Sequence, residues 1–287
     1  MFIKEFENVE VSYYNTLMTS TGRTTSLAEF LAKDFSREVL AMRFAPTEAK
    51  RTRAKRLLPA VTISGVFEPE RRLENFIGHS GLICIDIDAK DNPKRNFIGP
   101  YPTELTEWDK ICYLSRSASG KGLFAIVKLK WPLRHKSHFY SLEKEFARRD
   151  FVIDKACSDV TRLRCATYDP MPHYNPVATA YDGLADSGQA GISLNFRPGH
   201  QGVEAGIMTR LVKHAISARR IILDDYDEWI RIGYALASLG EDGRKLFHLL
   251  SATSSKYSQT ECDKKFTAIL RTSRGEVSIG TLFRILT

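Results

Sequence analysis

The chain has 287 residues, which predicts about two domains. Its content of 43% hydrophobic and 26% charged residues excludes wholesale disorder. The chain contains no run of about 18 apolar residues, so we expect no transmembrane helix, and its N-terminus lacks the features of a secretory signal. The net charge of +8 is compatible with a polyanionic partner, and the five cysteines form no C-x-x-C pair, so we expect a reducing, cytoplasmic setting without a disulfide scaffold or a cysteine zinc site.

The first part of the chain predicts strands and helices in alternation. The segment at 26–35 is typical of a helix, and helical spacing of apolar residues predicts a second helix at about 136–149. Short apolar strands are expected at 60–66, 81–88, 110–114, 122–130 and 160–167. This layout favours an α+β fold around one sheet, with an α/β fold as the alternative.

A change of composition at 183–202 predicts a linker, because this stretch is rich in glycine and has little periodicity. After it, apolar residues recur at helical spacing, and we expect helices at 207–216, 229–239, 244–250 and 260–270. Residues 203–287 are therefore predicted to form a small helical domain.

The apolar stretch at 81–88 ends in two carboxylates. Because side chains alternate along a strand, Asp86 and Asp88 should lie on one face about 7 Å apart, with Ile83, Ile85 and Ile87 on the core face. Two like charges at this separation favour a neutralising cation, and Mg²⁺ or Mn²⁺ takes carboxylate oxygen. The alternatives are a solvated acidic turn and a haloacid-dehalogenase-type phosphotransferase. That family usually has Thr or Val two residues after the second aspartate, whereas this chain has Lys90 there.

A Ser- and Gly-rich segment at 115–122 precedes the strand LFAIVKLK. Its glycines permit unusual backbone angles, and Ser117, Ser119 and Lys121 can contact phosphate through hydroxyl, amide or charge. The segment is not a Walker A motif, and a simple hairpin turn is the alternative interpretation.

A lone carboxylate, Asp154, follows a short apolar run, and two arginines follow it. Arg162 and Arg164 alternate with apolar residues, so both guanidinium groups should face one way and could hold a triphosphate. Asp154 could complete the carboxylate set. A surface ion pair between Asp159 and Arg162 is the alternative.

The densest basic cluster is a candidate surface for nucleic acid, with a solvated helix face as the alternative. Its members are Lys50, Arg51, Arg53, Lys55 and Arg56.

Taken in order, the segments ICIDID, SASGKGLF and VID…TRLRC resemble the motifs of the archaeo-eukaryotic primase superfamily, the primase-polymerases. The segment KRLLPAVTISGVF at 55–67 and the YDP at 168–170 are similar to the N-terminal domain of VirE-like proteins of Bacteroidetes mobile elements. Farther on, Trp229 and Ser254–Tyr257 lie in a stretch that resembles the primase C-terminal helical domain.

This resemblance implies an RRM-like catalytic domain at 1–182, a linker at 183–202 and a helical primase domain at 203–287. It implies a DNA-dependent primase or polymerase of a mobile genetic element, which uses nucleoside triphosphates on a single-stranded DNA template and works with a separately encoded helicase. Two Mg²⁺ or Mn²⁺ ions would bind at the catalytic carboxylates of Asp86, Asp88 and Asp154, with Asp159 as the alternative third ligand. The nucleotide would contact Ser117, Ser119, Lys121, Arg162 and Arg164.

The sequence departs from the family at one position. Many primase-polymerases carry a Ser-x-His motif on the second strand, whereas Gly122-Leu-Phe124 occupies the equivalent place. The missing imidazole would weaken binding of the γ-phosphate or leave it to Lys121. A catalytically inactive nucleic-acid-binding module that recruits a replicative helicase is therefore the alternative function. A rolling-circle relaxase is set aside, since no two histidines have the spacing of its His-hydrophobic-His motif.

Overall fold

The computed structural model describes residues 3–185, 208–209, 212–213, 216 and 223–273. The chain divides into two compact units, Met1–Ile192 and Ser193–Thr287. Most of the predicted linker at 183–202 and about half of the predicted helix at 207–216 lie outside the described residues.

The first unit is built from short strands and helices. The strands are β1 (Glu10–Tyr14), β2 (Arg23–Ser26), β3 (Ala60–Thr62), β4 (Gly65–Phe67), β5 (Phe76–His79), β6 (Leu82–Ile87), β7 (Ile111–Arg116), β8 (Leu123–Lys128), β9 (Arg164–Cys165) and β10 (His173–Tyr174). The helices are α1 (Leu27–Ala32), α2 (Ser36–Arg43), α3 (Glu48–Arg56), α4 (Thr103–Thr106) and α5 (His135–Ala147). The α+β class is confirmed.

The strands form two four-stranded antiparallel sheets and one hairpin, rather than the one sheet that we expected. The first sheet has the order β2-β1-β3-β9, and the second has the order β10-β7-β8-β6. The hairpin pairs β4 with β5. Along the chain, the second sheet and its helices follow the succession β-α-β-β-α-β, and the last strand, β10, pairs with β7 at the edge of the sheet.

The second sheet is buried on both faces. One face packs on α5, where Ile83, Ile85 and Ile87 join a core with Phe139, Leu142 and Phe146. The other face carries Phe124 and Ile126 of β8 and shares a core with the first sheet and with α1 and α2. The predicted alternation of β6 is therefore confirmed, and its Asp86 face is turned toward the first sheet.

Two of the expected strands are shorter than the sequence suggested. The apolar segment at 60–66 is two strands, because a tight turn between them is closed by a hydrogen bond from Thr62 Oγ1 to the Gly65 carbonyl, 2.7 Å long. The segment at 160–167 contains only the two-residue β9. The Asp159 carboxylate accepts the Thr161 N–H at 2.8 Å and thereby folds the start of this segment into a turn.

The second unit is helical in its described part. Its helices are α6 (Tyr226–Ala237), α7 (Gly240–Ser251) and α8 (Gln259–Thr272). Asp225 and Ser258 accept the N–H groups of Glu228 and Glu261 and so cap α6 and α8. Apolar residues of all three helices pack together, and Gly243 lets α7 approach the Leu236 carbonyl where a Cβ would lie only 2.0 Å away. Within the described residues, no helix is long and apolar enough to span a membrane.

A buried histidine pair connects β5, α5 and the 3₁₀ helix Lys155–Ser158. The Gly81 N–H donates to Nδ1 of His79, so the proton of this ring is on Nε2 and is donated to Nδ1 of His135 at 3.1 Å. His135 in turn carries its proton on Nε2 and donates it to the Cys157 carbonyl at 3.1 Å. Both rings are therefore neutral, and burial lowers the pKa of His79 and lowers that of His135 to about 4.

This neutral, hydrogen-bonded histidine pair predicts that acid destabilises the first unit. Unfolded histidine has a pKa of about 6.5, so the unfolded chain takes up protons first as the pH falls. The free energy of unfolding should be undiminished above pH ~6.5 and should decrease toward pH ~4, by on the order of 3 kcal/mol for His135. His135→Gln should be less stable at neutral pH but should show a flatter pH dependence in urea unfolding.

The readout must report on the first unit alone. The tryptophans are Trp108, Trp131 and Trp229, so a Trp229→Phe background confines tryptophan fluorescence to the first unit. If the free energy of unfolding depends on pH equally in His135→Gln and in its parent, the histidine pair is not neutral in the folded protein.

Candidate functional site

The carboxylate of Asp86 lies where the two sheets meet. It belongs to β6 of the second sheet, and its main salt bridge is to Arg164 of β9 in the first sheet. A second guanidinium, that of Arg162, is 3.4 Å from the other carboxylate oxygen. Only 12% of the Asp86 side chain is exposed, so a buried negative charge is balanced by two positive ones.

Arg164 is enclosed more fully than Arg162. Its side chain is 9% exposed, against 41% for Arg162, and its guanidinium lies over the Phe124 ring at 4.9 Å from the centroid. Burial opposes the charge of Arg164, but the Asp86 carboxylate outweighs this effect and raises the pKa. The same opposition, with Asp86 and Asp154 as the carboxylates, raises the pKa of Arg162.

Asp154 reaches this ion-pair group through Arg162, at 2.6 Å. Its own N–H donates to the Asp86 carbonyl at 2.9 Å, which fixes this segment beside β6. Its carboxylate also accepts the Ala156 N–H at 3.0 Å and caps the 3₁₀ helix. The next turn of that helix places Cys157, whose thiol accepts the Asp86 N–H at 3.3 Å and whose pKa burial raises to about 12.

Asp88 follows the end of β6 and is more open. Its side chain is 42% exposed, and the closest cation is Lys90 Nζ at 3.9 Å. Asn92 anchors the local backbone, since its amide donates to the carbonyls of Asp88 and Val152 at 2.9 and 2.8 Å. Asp88 therefore presents a carboxylate to solvent from a fixed backbone.

The Ser/Gly turn connects β7 to β8 beside these carboxylates. The hydroxyl groups of Ser117 and Ser119 lie 3.1 Å apart, and they accept the N–H groups of Gly122 and Lys121, respectively. Gly120 has a φ of +74°, a backbone conformation that favours glycine. The segment is thus a hairpin turn, which was the alternative interpretation of the sequence. Its two serines nevertheless line the same cleft as the carboxylates at the end of β6.

These parts surround one cleft of about 500 Å³. Its lining includes predicted residues from each of the three motifs, namely Asp86, Asp88, Ser117, Ser119, Arg162 and Arg164. Lys121 lies instead in an adjoining groove, which shares Ser119 and Lys55 with the cleft. Asp159 also lines the cleft, but its carboxylate is used to close the turn before Arg162.

The donor set of the cleft is compatible with a divalent cation that also binds phosphate. Among the described residues, no group of three or more metal-ligating side chains converges on one point. Mg²⁺, however, is commonly held by one or two carboxylates together with substrate phosphates and waters. Asp86 and Asp88 supply such oxygens in one cleft, although Asp86 is paired with arginines.

The basic cluster lies on α3, a helix with no buried residue. Thr47 caps this helix, and Arg51 is held by Glu48 at 2.9 Å and by the Ala45 carbonyl at 2.9 Å. Lys55 links the cluster to the cleft because it lines both the cleft and the adjoining groove.

Sequence reasoning missed Arg71, which lines the cleft and donates to the Thr161 carbonyl at 3.2 Å, and Arg43, which holds the Ser/Gly turn. No local pattern distinguishes these arginines from others in the chain, because their partners are 90 and 75 residues away.

The ion-pair group predicts different costs for its two arginines. Arg164→Leu should lower the free energy of unfolding by about 3 kcal/mol, because it leaves the buried Asp86 carboxylate with only the partly exposed Arg162 as a partner. Arg162→Leu should cost about 1 kcal/mol or less, since Arg162 is partly exposed to solvent and Asp86 keeps its contact with Arg164. Urea unfolding followed by fluorescence in the Trp229→Phe background measures both, and equal losses would refute the buried pair as the dominant interaction.

Comparisons with protein families agree with this division of the chain. Residues 53–174, which include every predicted cleft residue, match the BT4734-like, N-terminal domain family. Residues 212–285 match the family Primase C terminal 2 (PriCT-2). No match was found among curated proteins or among solved structures. The chain therefore carries a BT4734-like N-terminal domain followed by a primase C-terminal domain, which is the primase-polymerase arrangement that its motifs predicted.

Proposed function

We propose that the protein is a DNA-dependent primase or polymerase that transfers nucleotides on a single-stranded template. The primase C-terminal domain supports a role in replication. The observation that carries the finer proposal is the meeting of Asp86, Asp88, the Ser/Gly turn and two arginines in one cleft. Carboxylates for a cation and donors for phosphates are the two components that nucleotidyl transfer needs.

In this proposal the arginines exchange partners when a nucleotide binds. Arg162 and Arg164 are paired with Asp86 in the structure, and a triphosphate offers them oxygens of higher negative charge. Release of Asp86 would free its carboxylate oxygens. Ser119 and Lys121 would add a hydroxyl and a positive charge from the turn, with Ser117 supporting Ser119.

Two Mg²⁺ or Mn²⁺ ions, held by Asp86 and Asp88 with Asp154 as the third carboxylate, would supply the positive charge that activates a 3′-hydroxyl and neutralises pyrophosphate. Asp154 keeps Arg162 beside this position.

The template would approach along α3. This helix is exposed and basic, and Lys55 joins it to the cleft. Met18 and Leu57 form a groove with Arg53 and Arg56. Such a groove suits an unpaired strand, because the apolar side chains can contact bases and the arginines can contact phosphates.

The second candidate is an inactive module that binds nucleic acid and recruits a separately encoded replicative helicase. One observation favours it. Phe124, at the place of the family's histidine, is fully buried beneath Arg164 and offers no hydrogen bond to a phosphate.

Asp88→Asn is the sharpest test of catalysis. Asp88 is not in the buried ion pair, so this change removes one charge without leaving an arginine unpaired. Synthesis on single-stranded DNA, with labelled ribo- and deoxynucleotides and Mg²⁺ or Mn²⁺, should fall about 100-fold or more while template binding persists.

Asp91→Asn is the matched control, since Asp91 is a neighbouring exposed carboxylate that also lies near Lys90, at 3.8 Å. Unchanged synthesis by Asp88→Asn would refute the assignment. No synthesis by the wild type, with template still bound, would refute the polymerase and favour the recruiting module instead.

Template binding by α3 predicts a change in salt dependence. Lys50, Arg53, Lys55 and Arg56 are replaced by glutamine. The slope of log affinity against log salt concentration should become less negative by about 0.7 for each phosphate contact that is lost. Fluorescence anisotropy with a labelled DNA strand measures this slope.

The control carries the same loss of charge elsewhere. It replaces four exposed basic residues distant in sequence from α3, namely Lys94, Lys144, Arg231 and Lys264, by glutamine. If both variants bind with the same slope, α3 is a solvated helix face rather than the template surface.

A further inference from the structure

Arg43, the last residue of α2, is the feature that the proposed function leaves unexplained. Its guanidinium donates to three main-chain carbonyls, two of them in the Ser/Gly turn: Nε to Ala118 at 2.8 Å and Nη2 to Ser117 at 3.1 Å. The third is the Tyr168 carbonyl, at 2.8 Å from Nη2. No carboxylate forms a salt bridge with Arg43 among the described residues, so this charge is devoted to main-chain oxygens.

These contacts fix the orientation of two peptide groups. In a trans peptide the N–H points opposite to the C=O. Because the Ser117 and Ala118 carbonyls are turned to Arg43, the N–H groups of Ala118 and Ser119, which belong to the same two peptides, point away from it. The positive charge also polarises both peptides, which makes these N–H groups better donors.

The two N–H groups have no protein partner in the part of the chain that the structure describes. The rest of the turn is satisfied, since Gly120 N–H donates to the Ser117 carbonyl at 2.8 Å and Ser117 N–H donates to the Gly122 carbonyl at 2.8 Å. Ala118 is only 1% exposed, and a buried N–H without an acceptor is rare in proteins. Both residues line the cleft, and Ser119 is exposed there, which places the two donors at the wall of the cleft.

Gly120 is the residue that permits this arrangement. A Cβ on Gly120 would lie 3.2 Å from Cζ and Nε of Arg43, and its φ of +74° disfavours any side chain. Glycine here thus allows the guanidinium to approach the turn closely.

We propose that Arg43 is a positioning residue that holds the Ser/Gly turn so that the N–H groups of Ala118 and Ser119 bind one phosphate group of the nucleotide. This inference rests on the proposed function, in which the cleft accepts a nucleoside triphosphate. The paired N–H groups form a concave anion site of the kind made by successive main-chain amides, and they supply donors that the absent histidine does not. Arg43 does not touch the ligand; it acts through the turn.

The direct test is nuclear magnetic resonance on the full chain, labelled with ¹⁵N-alanine and ¹⁵N-serine. Adding ATP with Mg²⁺ should shift the amide signals of Ala118 and Ser119, and inorganic triphosphate should shift them in the same direction. ATP binding that leaves both signals in place would overturn the inference while the proposed function stands. A wild type that binds neither ATP nor triphosphate would overturn the proposed function and the inference together.

Variants test the role of Arg43 itself. Arg43→Gln should weaken ATP binding about 10-fold in calorimetry, since it loosens two donors to a charged ligand, and should raise KM for the nucleotide more than it lowers kcat. Arg43→Lys should recover little, because one ammonium group cannot hold three carbonyls in a fixed geometry. Arg37→Gln, an exposed arginine of the same helix, is the matched control and should bind ATP as the wild type does.

Gly120→Ala is the second variant, in case Arg43→Gln does not fold. It leaves Arg43 in place but strains the turn and crowds the guanidinium, and it should weaken ATP binding by a similar factor. Wild-type ATP affinity in a folded Arg43→Gln or in Gly120→Ala would overturn the positioning role.

Discussion

The salt bridge between Asp86 and Arg164 is the interaction on which the rest of the first unit depends. It joins the second sheet to the first, across a face that is otherwise packed with apolar side chains such as Phe124 and Ile126. A carboxylate at this depth is tolerated only with a partner, and Arg164 must come from β9 to provide it. The two-residue length of β9 is thus enough, because its function is to place one guanidinium rather than to extend a sheet.

The same ion pair constrains how the cleft can act. The negative charge of Asp86 is compensated by the two arginines, and their positive charges are compensated in turn by Asp86 and Asp154, so these groups offer little uncompensated charge to a ligand. A ligand that carries both a cation and phosphates satisfies the two groups at once, whereas either component alone leaves a charge unpaired. In the proposed function, binding of metal and of nucleotide would therefore be linked, since each relieves a cost that the other creates.

How much of this was predictable depends on the range of the interaction. Strand periodicity placed Ile83, Ile85 and Ile87 in the core and Asp86 opposite them, because alternation is a local property of the chain. The glycines of the Ser/Gly segment likewise indicated unusual backbone angles, and the hairpin turn that they form was the alternative interpretation of this segment. The burial of Arg164 and the contact of Arg43 were not predictable, because their partners are 78 and 75 residues away and no periodicity encodes them.

The strand expected at 160–167 is shorter than predicted for a local reason. The Asp159 side chain accepts a main-chain N–H and closes a turn where the apolar alternation predicted an extended chain.

The replacement of the family's histidine by Phe124 follows from this long-range packing. At this position of β8 the side chain lies directly opposite Asp86 in the sheet and beneath the Arg164 guanidinium. An apolar ring stabilises that cation through its π face and adds no second donor that would compete for Asp86. The change removes a donor from the proposed phosphate site, and the N–H groups that Arg43 orients lie in the same cleft. A backbone donor of this kind does not titrate, so phosphate binding in this protein would be less sensitive to pH near neutrality than binding that depends on an imidazole.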